Sequence, residues 1–400
     1  MTGCPGKIVV FGAGNIGRSF IGQVFSRAGW EVVFIDVDAS LVDALNERRG
    51  YTIIVKQQGL RDETIGIDDI RAVDGRDIGG AADELADAAM AACAVGKAAL
   101  PKIAPVLARG LLARAVKAPP LDFILAENDR EARSHLLGAI RQFLPPDFPL
   151  SDRLGLVETS IGKMVPIMHA EDLATDRLRI FAEPYNELIV DRKGFLGPLP
   201  GIPFVRPVDN ILAYVDRKLF IHNLGHAAVA YLGHRAAPSE TLIWRALAIP
   251  AVAAGARLAM TEAAAALARE YPAEFTSGAL EEHIEELLSR FSNAALGDTI
   301  YRVGRDLPRK LDRSDRIVGA ALLCERHGLG WGGIADVFRA ALDFGATDES
   351  GAPFPADSAF RERLHEEGIR SILGSVCRLD WANVFDARVA AVLLRMWPPD

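Results

Sequence analysis

Residues 7–36 constrain the fold more tightly than any other part of this 400-residue chain. An apolar, β-branched run, Ile8-Val9-Val10-Phe11, leads directly into Gly-Ala-Gly-Asn-Ile-Gly, and apolar residues then recur at Ile16, Phe20, Ile21 and Val24. The first run suits a strand buried on both faces; the later set has helical spacing, with Gly29 as its stop. Strand, glycine turn and helix in that order open a doubly wound α/β sheet. Gly12 permits the tight turn, Gly14 lets backbone approach a pyrophosphate, and Gly17 lets helix and strand pack closely. Ala13, Asn15 and Ile16 line the same turn, where a helix amino terminus offers N–H groups to an anion.

A second strand, Val32–Ile35, ends at Asp36, about 20 residues beyond the last glycine, where a carboxylate hydrogen-bonds adenine ribose hydroxyls. That carboxylate repels a 2′-phosphate, so the expected cofactor is NAD rather than NADP. Arg18, just after Gly17, either touches the pyrophosphate or stands solvated in the first helical turn. Later strand-like runs, "DAAMAACAVG" and "LDFILAEN", end at residues that face a ligand at the carboxyl edge of a parallel sheet: Ala94, Val95 and Gly96 in one, Asn128 in the other.

The remainder of the chain differs in character. A glycine- and proline-rich segment, "GFLGPLPGIPFVRPVDN", reads as a connection, and beyond residue 210 helical periodicity dominates. The expected organisation is a Rossmann-type doubly wound α/β domain over 1–195, binding the nucleotide, followed by a mostly α-helical substrate domain over 196–400. With 45 basic and 53 acidic residues the net charge is −8, which gives no global attraction to nucleic acid or to an anionic membrane. The four cysteines form no C-x-x-C pair and read as reduced thiols in a cytoplasmic protein. No basic region followed by a long apolar stretch opens the chain, and the apolar segment "ALAIPAVAAGARLAM" is interrupted by Pro250 and Arg257, so no membrane span is expected.

The helical half opens with "VDRKLFIHNLGHAAVAYLGH", in which Lys218, Asn223 and His226 are spaced K-x4-N-x2-H. At about 100° per residue the three fall within a wedge of roughly 140°, and Lys218 and His226 lie about 12 Å apart along the axis, which suits an elongated ligand such as a linear sugar alcohol. A lysine lowered in pKa by burial and neighbouring cations can take a hydroxyl proton near neutral pH, while Asn223 and His226 can donate to the developing alkoxide or to neighbouring hydroxyls. A surface lysine and a structural histidine fit the spacing too. His222 and His226, one turn apart, could form half of a metal site, but no third ligand is evident and no metal is expected.

The helix motif, the amino-terminal "FGAGNIGR" and "TIYRVGRDLPRKL" at 299–311 together resemble the polyol-specific long-chain dehydrogenases, and "AVGKAALPKIAPVLARGL" at 94–111 is similar to the branch acting on mannitol 1-phosphate. The similarity runs through nearly the whole chain. It implies a metal-independent, NAD-dependent enzyme that interconverts a sugar alcohol phosphate and a ketose phosphate, mannitol 1-phosphate and fructose 6-phosphate. By the same resemblance Lys218 is the general base, Asn223 and His226 contact substrate, Asn128 helps polarise the reacting oxygen, and Arg302 and Lys310 line the substrate pocket. Arg305 and Arg309 add positive charge between them. Relatives acting on unphosphorylated polyols carry a similar basic stretch, so the same chemistry on a free hexitol or on a uronate remains an alternative. One departure is that "IGKMVP" stands where relatives read V-D-R-I-V-P: Gly162 replaces an aspartate and Lys163 an arginine, with Glu158 a candidate to compensate.

Overall fold

The structure, a computed structural model, describes residues 6–57, 59–114, 118–127 and 131–396. It divides into two compact units, Met1–Val215 and Asp216–Asp400. The strands of the first unit are β1 (Lys7–Phe11), β2 (Glu31–Asp36), β3 (Gly50–Val55), β4 (Glu63–Asp68), β5 (Ile70–Asp74), β6 (Met90–Cys93), β7 (Leu121–Leu125), β8 (Leu154–Ser160), β9 (Ile180–Ala182), β10 (Leu188–Asp191) and β11 (Val205–Val208).

Eight of them form one sheet in the order β11-β10-β8-β7-β6-β1-β2-β5. From β5 to β8 every pairing is parallel, and the order outward from β1 reverses between β2 and β6, as expected of a Rossmann fold. The two strands beyond β8 extend this sheet: β10 pairs antiparallel to β8 and parallel to β11. β1 is buried from Ile8 to Phe11, and its side chains alternate between two cores. Ile8 and Val10 pack with Val32, Phe34 and Ile124 on one face; Val9 and Phe11 pack with Val33, Ile35 and Phe123 on the other. Each such side chain stabilises the unit by roughly 1.5–3 kcal/mol, which is why the strand reads as an unbroken apolar run.

A second sheet, β4-β3-β9, carries the hairpin inserted between β2 and β5. The break expected after residue 195 falls between β10 and β11, and the compact units divide at Val215–Asp216 instead. The glycine- and proline-rich segment is held inside the first unit: the buried carboxylate of Asp122 accepts the backbone N–H groups of Leu196 and Gly197 at 2.8 and 3.1 Å. Composition of that kind reads as a linker in the sequence even where, as here, its backbone groups find partners in the fold.

The second unit is helical. Its long central helix, Pro250–Glu270, packs against helices Leu224–Ala236, Ser277–Phe291, Val318–Arg326 and Gly332–Leu342. Pro250 does not interrupt this helix but occupies its first turn, where a missing N–H costs nothing. By length and composition this helix could cross a membrane. Here its alanines let neighbours approach closely, and Ala256, Ala259, Ala263 and Ala266 are fully buried.

Candidate active site

The first unit builds the glycine turn between β1 and the helical stretch after it, with β2 alongside. Gly12 has φ +93°, and a Cβ there would stand 2.6 Å from the Ala94 carbonyl oxygen, so the turn is closed to other residues. On Gly17 a Cβ would fall 1.9 Å from the Gly12 carbonyl oxygen. Gly14, by contrast, is exposed and a Cβ would meet nothing within 4 Å, which leaves room for a ligand to approach the backbone. Asn15 is exposed beside it, and Ile16 half-buried. The helical stretch that follows contains a π-helical turn, Gly17–Gly22. Asp36 Oδ2 accepts the Ala13 N–H at 2.7 Å and Oδ1 accepts the Asp38 N–H at 3.0 Å, so this carboxylate also ties the glycine turn to the second strand. Two carboxylate oxygens have about four acceptor sites, and Asp36 retains capacity for ribose hydroxyls.

Arg18 takes neither of its expected places. It is buried, its Nε donating to the Ala13 carbonyl at 2.6 Å and its NH1 to the Leu178 carbonyl at 2.9 Å, so it braces the glycine turn from beneath. Against the loop after β6 stands Glu127, from just beyond β7, a residue to which sequence reasoning gave no role. Glu127 Oε1 accepts the N–H groups of Val95 and Gly96 at 2.8 and 3.1 Å, so these two donors hold the loop in place. Gly96 has φ +84°, as this tight loop requires. Asn128 lies outside the described residues.

The departure at 161–166 follows directly on β8. A Cβ on Gly162 would lie 3.4 Å from the ring and the hydroxyl of Tyr185. Lys163 is buried, donating to Asn186 Oδ1 at 2.9 Å and to Gln23 Oε1 at 3.4 Å. Glu158, which burial pushes above the usual carboxylate range, has Arg133 and Asp191 as its charged neighbours.

In the second unit Lys218 and Asn223 open and close a π-helical turn, Lys218–Asn223, continued by Leu224–Ala236. The turn interrupts the regular 100° step on which the wedge of the sequence argument rests, a feature that periodicity does not reveal. Lys218 is half-buried; burial, and then the Arg316 guanidinium, push its ammonium down to about 7. His226 is pushed down to about 3 by burial, followed by Arg302, Arg316, Lys310 and Arg290, so its imidazole is neutral. Its ring lies flat on Phe291, with centroids 4.7 Å apart and planes within 6°. His222 is buried 6.4 Å from His226, ring to ring, and among the described residues no group of three His, Cys, Asp or Glu side chains is arranged to hold a metal.

The basic run meets this helix. Tyr231, two turns beyond Asn223, donates its hydroxyl to the Gly304 carbonyl at 2.8 Å. Lys310 is buried, donates to the Arg305 carbonyl, and is pushed down to about 7 by burial, Arg316 and Arg309. Arg302 pairs with the buried Asp298. Arg305 is exposed, its guanidinium 5.6 Å from the ring centres of both Tyr301 and Phe354, and Arg309 is exposed against Asp306 at 2.5 Å and Asp315 at 3.5 Å. Asp306 has φ +73°, and this left-handed turn is held by the buried Asp357, which accepts the N–H groups of Asp306 and Leu307 at 3.0 and 2.6 Å. The structure therefore brings Lys218, His226, Arg302 and Lys310 into one electrostatic neighbourhood. Arg316 joins it, clamped by Asp315 at 2.7 Å and reaching the Asn223 carbonyl at 3.4 Å. No motif marks Arg316 in the sequence; Asp298 is marked only by standing four residues before Arg302.

Two family models match this chain: the mannitol dehydrogenase Rossmann domain over residues 6–203 and the mannitol dehydrogenase C-terminal domain over 210–384. Mannitol-1-phosphate 5-dehydrogenase of Brevibacillus brevis is 35% identical over 342 residues, which are 84% of this chain and 85% of that protein. Among solved structures, a D-sorbitol dehydrogenase in substrate-free form has a TM-score of 0.75 at 15% identity, covering 98% of this chain and 93% of its own. A Pseudomonas fluorescens mannitol 2-dehydrogenase in ternary complex with NAD and D-mannitol has a TM-score of 0.67 at 15% identity, covering 98% and 94%. The two structures share the fold, and the family models and the sequence relative carry the conclusion that this chain belongs to the mannitol dehydrogenase family.

Proposed function

We propose that this protein is an NAD-dependent polyol phosphate dehydrogenase that interconverts mannitol 1-phosphate and fructose 6-phosphate, with Lys218 as its general base. The observation that carries this reading is the state of Lys218: a lysine pushed to about 7 divides between its neutral and charged forms at the pH of a cell. In the oxidation direction neutral Nζ takes the proton from the substrate hydroxyl as the carbonyl forms; in reduction the ammonium returns it. Asn223 and His226 bind substrate hydroxyls, and Arg302 and Lys310 supply cations for an anionic terminus.

Gly12, Ala13, Gly14, Asn15, Ile16 and Gly17 would hold the pyrophosphate of NAD, Asp36 the adenine ribose, and the Ala94–Gly96 loop the nicotinamide side. The open backbone at Gly14 and the carboxylate at the end of β2 fit that cofactor. When bound, NAD accepts the hydride from the carbinol carbon. The buried thiols of Cys93, Cys324 and Cys377 are free, which supports a cytoplasmic location.

A second reading, an unphosphorylated hexitol or a uronate, draws on the ion pairs of Arg302 and Arg309, which offset part of the positive charge of the run. NADH formation measured with mannitol 1-phosphate, mannitol, sorbitol 6-phosphate and the products of uronate reduction separates the two. A KM for mannitol 1-phosphate at least about tenfold below that for mannitol is expected, since a charge-assisted contact contributes roughly 1.5–3 kcal/mol. Equal constants would favour the second reading.

A further inference from the structure

Asp298 stands between two residues of the candidate site and is itself only 6% exposed. Its Oδ1 receives the Arg302 guanidinium, and its Oδ2 lies 3.5 Å from His226 Nε2. The backbone presents the carboxylate firmly. The Asp298 carbonyl accepts the Ile243 N–H at 3.0 Å, and the Ile300 N–H donates to the Thr241 carbonyl at 2.7 Å, on either side of a bridge between Leu242 and Thr299. Phe291, stacked on the imidazole, fixes the plane in which its two nitrogens lie.

We propose that Asp298 is a positioning residue that holds His226 in the Nε2–H tautomer, so that Nδ1 faces a ligand only as an acceptor, while restraining Arg302 through its other oxygen. A carboxylate accepts hydrogen bonds and cannot donate them, so the imidazole nitrogen beside it carries the proton and the other nitrogen carries the lone pair. A group bound at Nδ1 must then be a donor. A hydroxyl satisfies this; a carboxylate or phosphate oxygen does not. His226 is thereby an acceptor for substrate hydroxyls rather than the donor its sequence position suggested, and anionic groups are left to the neighbouring cations. One carboxylate sets both halves of that division. The ligand class rests on the polyol reading above, whereas the tautomer does not.

The test is nitrogen NMR of ligand-free protein labelled with 15N-histidine, the His226 signals being assigned by their loss in His226→Gln. Protonated Nε2 and unprotonated Nδ1 are expected. In Asp298→Asn, nearly the same shape, the side-chain amide donates to Nε2 and the two nitrogen signals exchange roles. KM for the polyol substrate rises about tenfold in this variant, with NAD affinity unchanged. Arg302→Met raises KM and leaves the tautomer where it was. A wild-type ring protonated at Nδ1, or a tautomer that ignores Asp298→Asn, overturns the proposal. A tautomer that reverses while KM stays constant upholds the positioning role and overturns the contact between His226 and a polyol.

Discussion

Lys218 should weaken the fold that contains it. Its ammonium titrates near 7 in the protein and near 10.5 in water, so the folded state takes up the proton less readily than the unfolded chain. Well above pH 10.5 the lysine is neutral in both states and exacts no penalty. As the pH falls toward 7 the unfolded chain gains a proton that the fold resists, and below about 7 the penalty is complete. At about 1.4 kcal/mol per unit, the full shift sets an upper limit near 5 kcal/mol; partial exposure of the side chain reduces it to on the order of 2–3 kcal/mol. Lys218→Met keeps the stem and removes the charge. It should therefore raise the unfolding free energy by about 2–3 kcal/mol at pH 6 and by much less at pH 10, while kcat falls roughly 10²- to 10⁴-fold. Urea unfolding followed by circular dichroism at the two pH values measures the difference. Equal stability of the two proteins at pH 6, or a less stable variant there, would refute the reasoning, because the lysine would then not be a desolvated cation.

Three further outcomes follow from the geometry. kcat/KM for polyol oxidation should climb with pH and level off above about 7 while ketose reduction declines over the same range; Arg316→Gln should move the midpoint upward, by removing a cation that disfavours the charged lysine. Gly17→Ala, whose Cβ meets the Gly12 carbonyl, should lower stability by roughly 2–4 kcal/mol, whereas Gly14→Ala should leave the melting temperature in place and weaken NAD binding, as calorimetry and fluorescence titration will report. NAD should be preferred to NADP at least about tenfold in kcat/KM, and Asp36→Ala should narrow that gap chiefly by impairing NAD; equal use of both by the wild type would remove the carboxylate from the adenine site.

The parts legible in the sequence are those that local chemistry dictates. β1, β2 and the turn between them declare themselves because a twice-buried strand has to be apolar and a turn at φ +93° excludes side chains. Helical periodicity placed Lys218, Asn223 and His226 on one helical stretch, but not the π turn that resets their phase. What stayed hidden depends on residues distant along the chain. Arg18 looks like an anion ligand from its neighbours alone, and its burial against the Leu178 carbonyl involves a residue 160 positions away. Glu127 on the Val95 and Gly96 amides, Asp357 beneath Asp306 and Arg316 beside Lys218 are likewise products of folding, with no local pattern that announces their partners. β11 escaped because proline and glycine obscure a strand that pairs only at the sheet's edge.

The π turn at Lys218–Asn223 has a consequence for how this helix tolerates change in length. A π turn holds one residue more than an α-helix would use, so deleting a single residue between Leu219 and His222 would let the backbone return to ordinary i→i+4 bonding. The shortened helix would be better bonded and wrongly phased. Lys218 would swing by about 100° relative to His226 and Arg316, a displacement no side-chain rotamer can recover. An insertion in the same place would have the opposite sense and the same result. Substitutions here adjust the site in degrees, but a change of length resets it by a whole residue, and lineages that keep this reaction should hold the number of residues in the turn fixed.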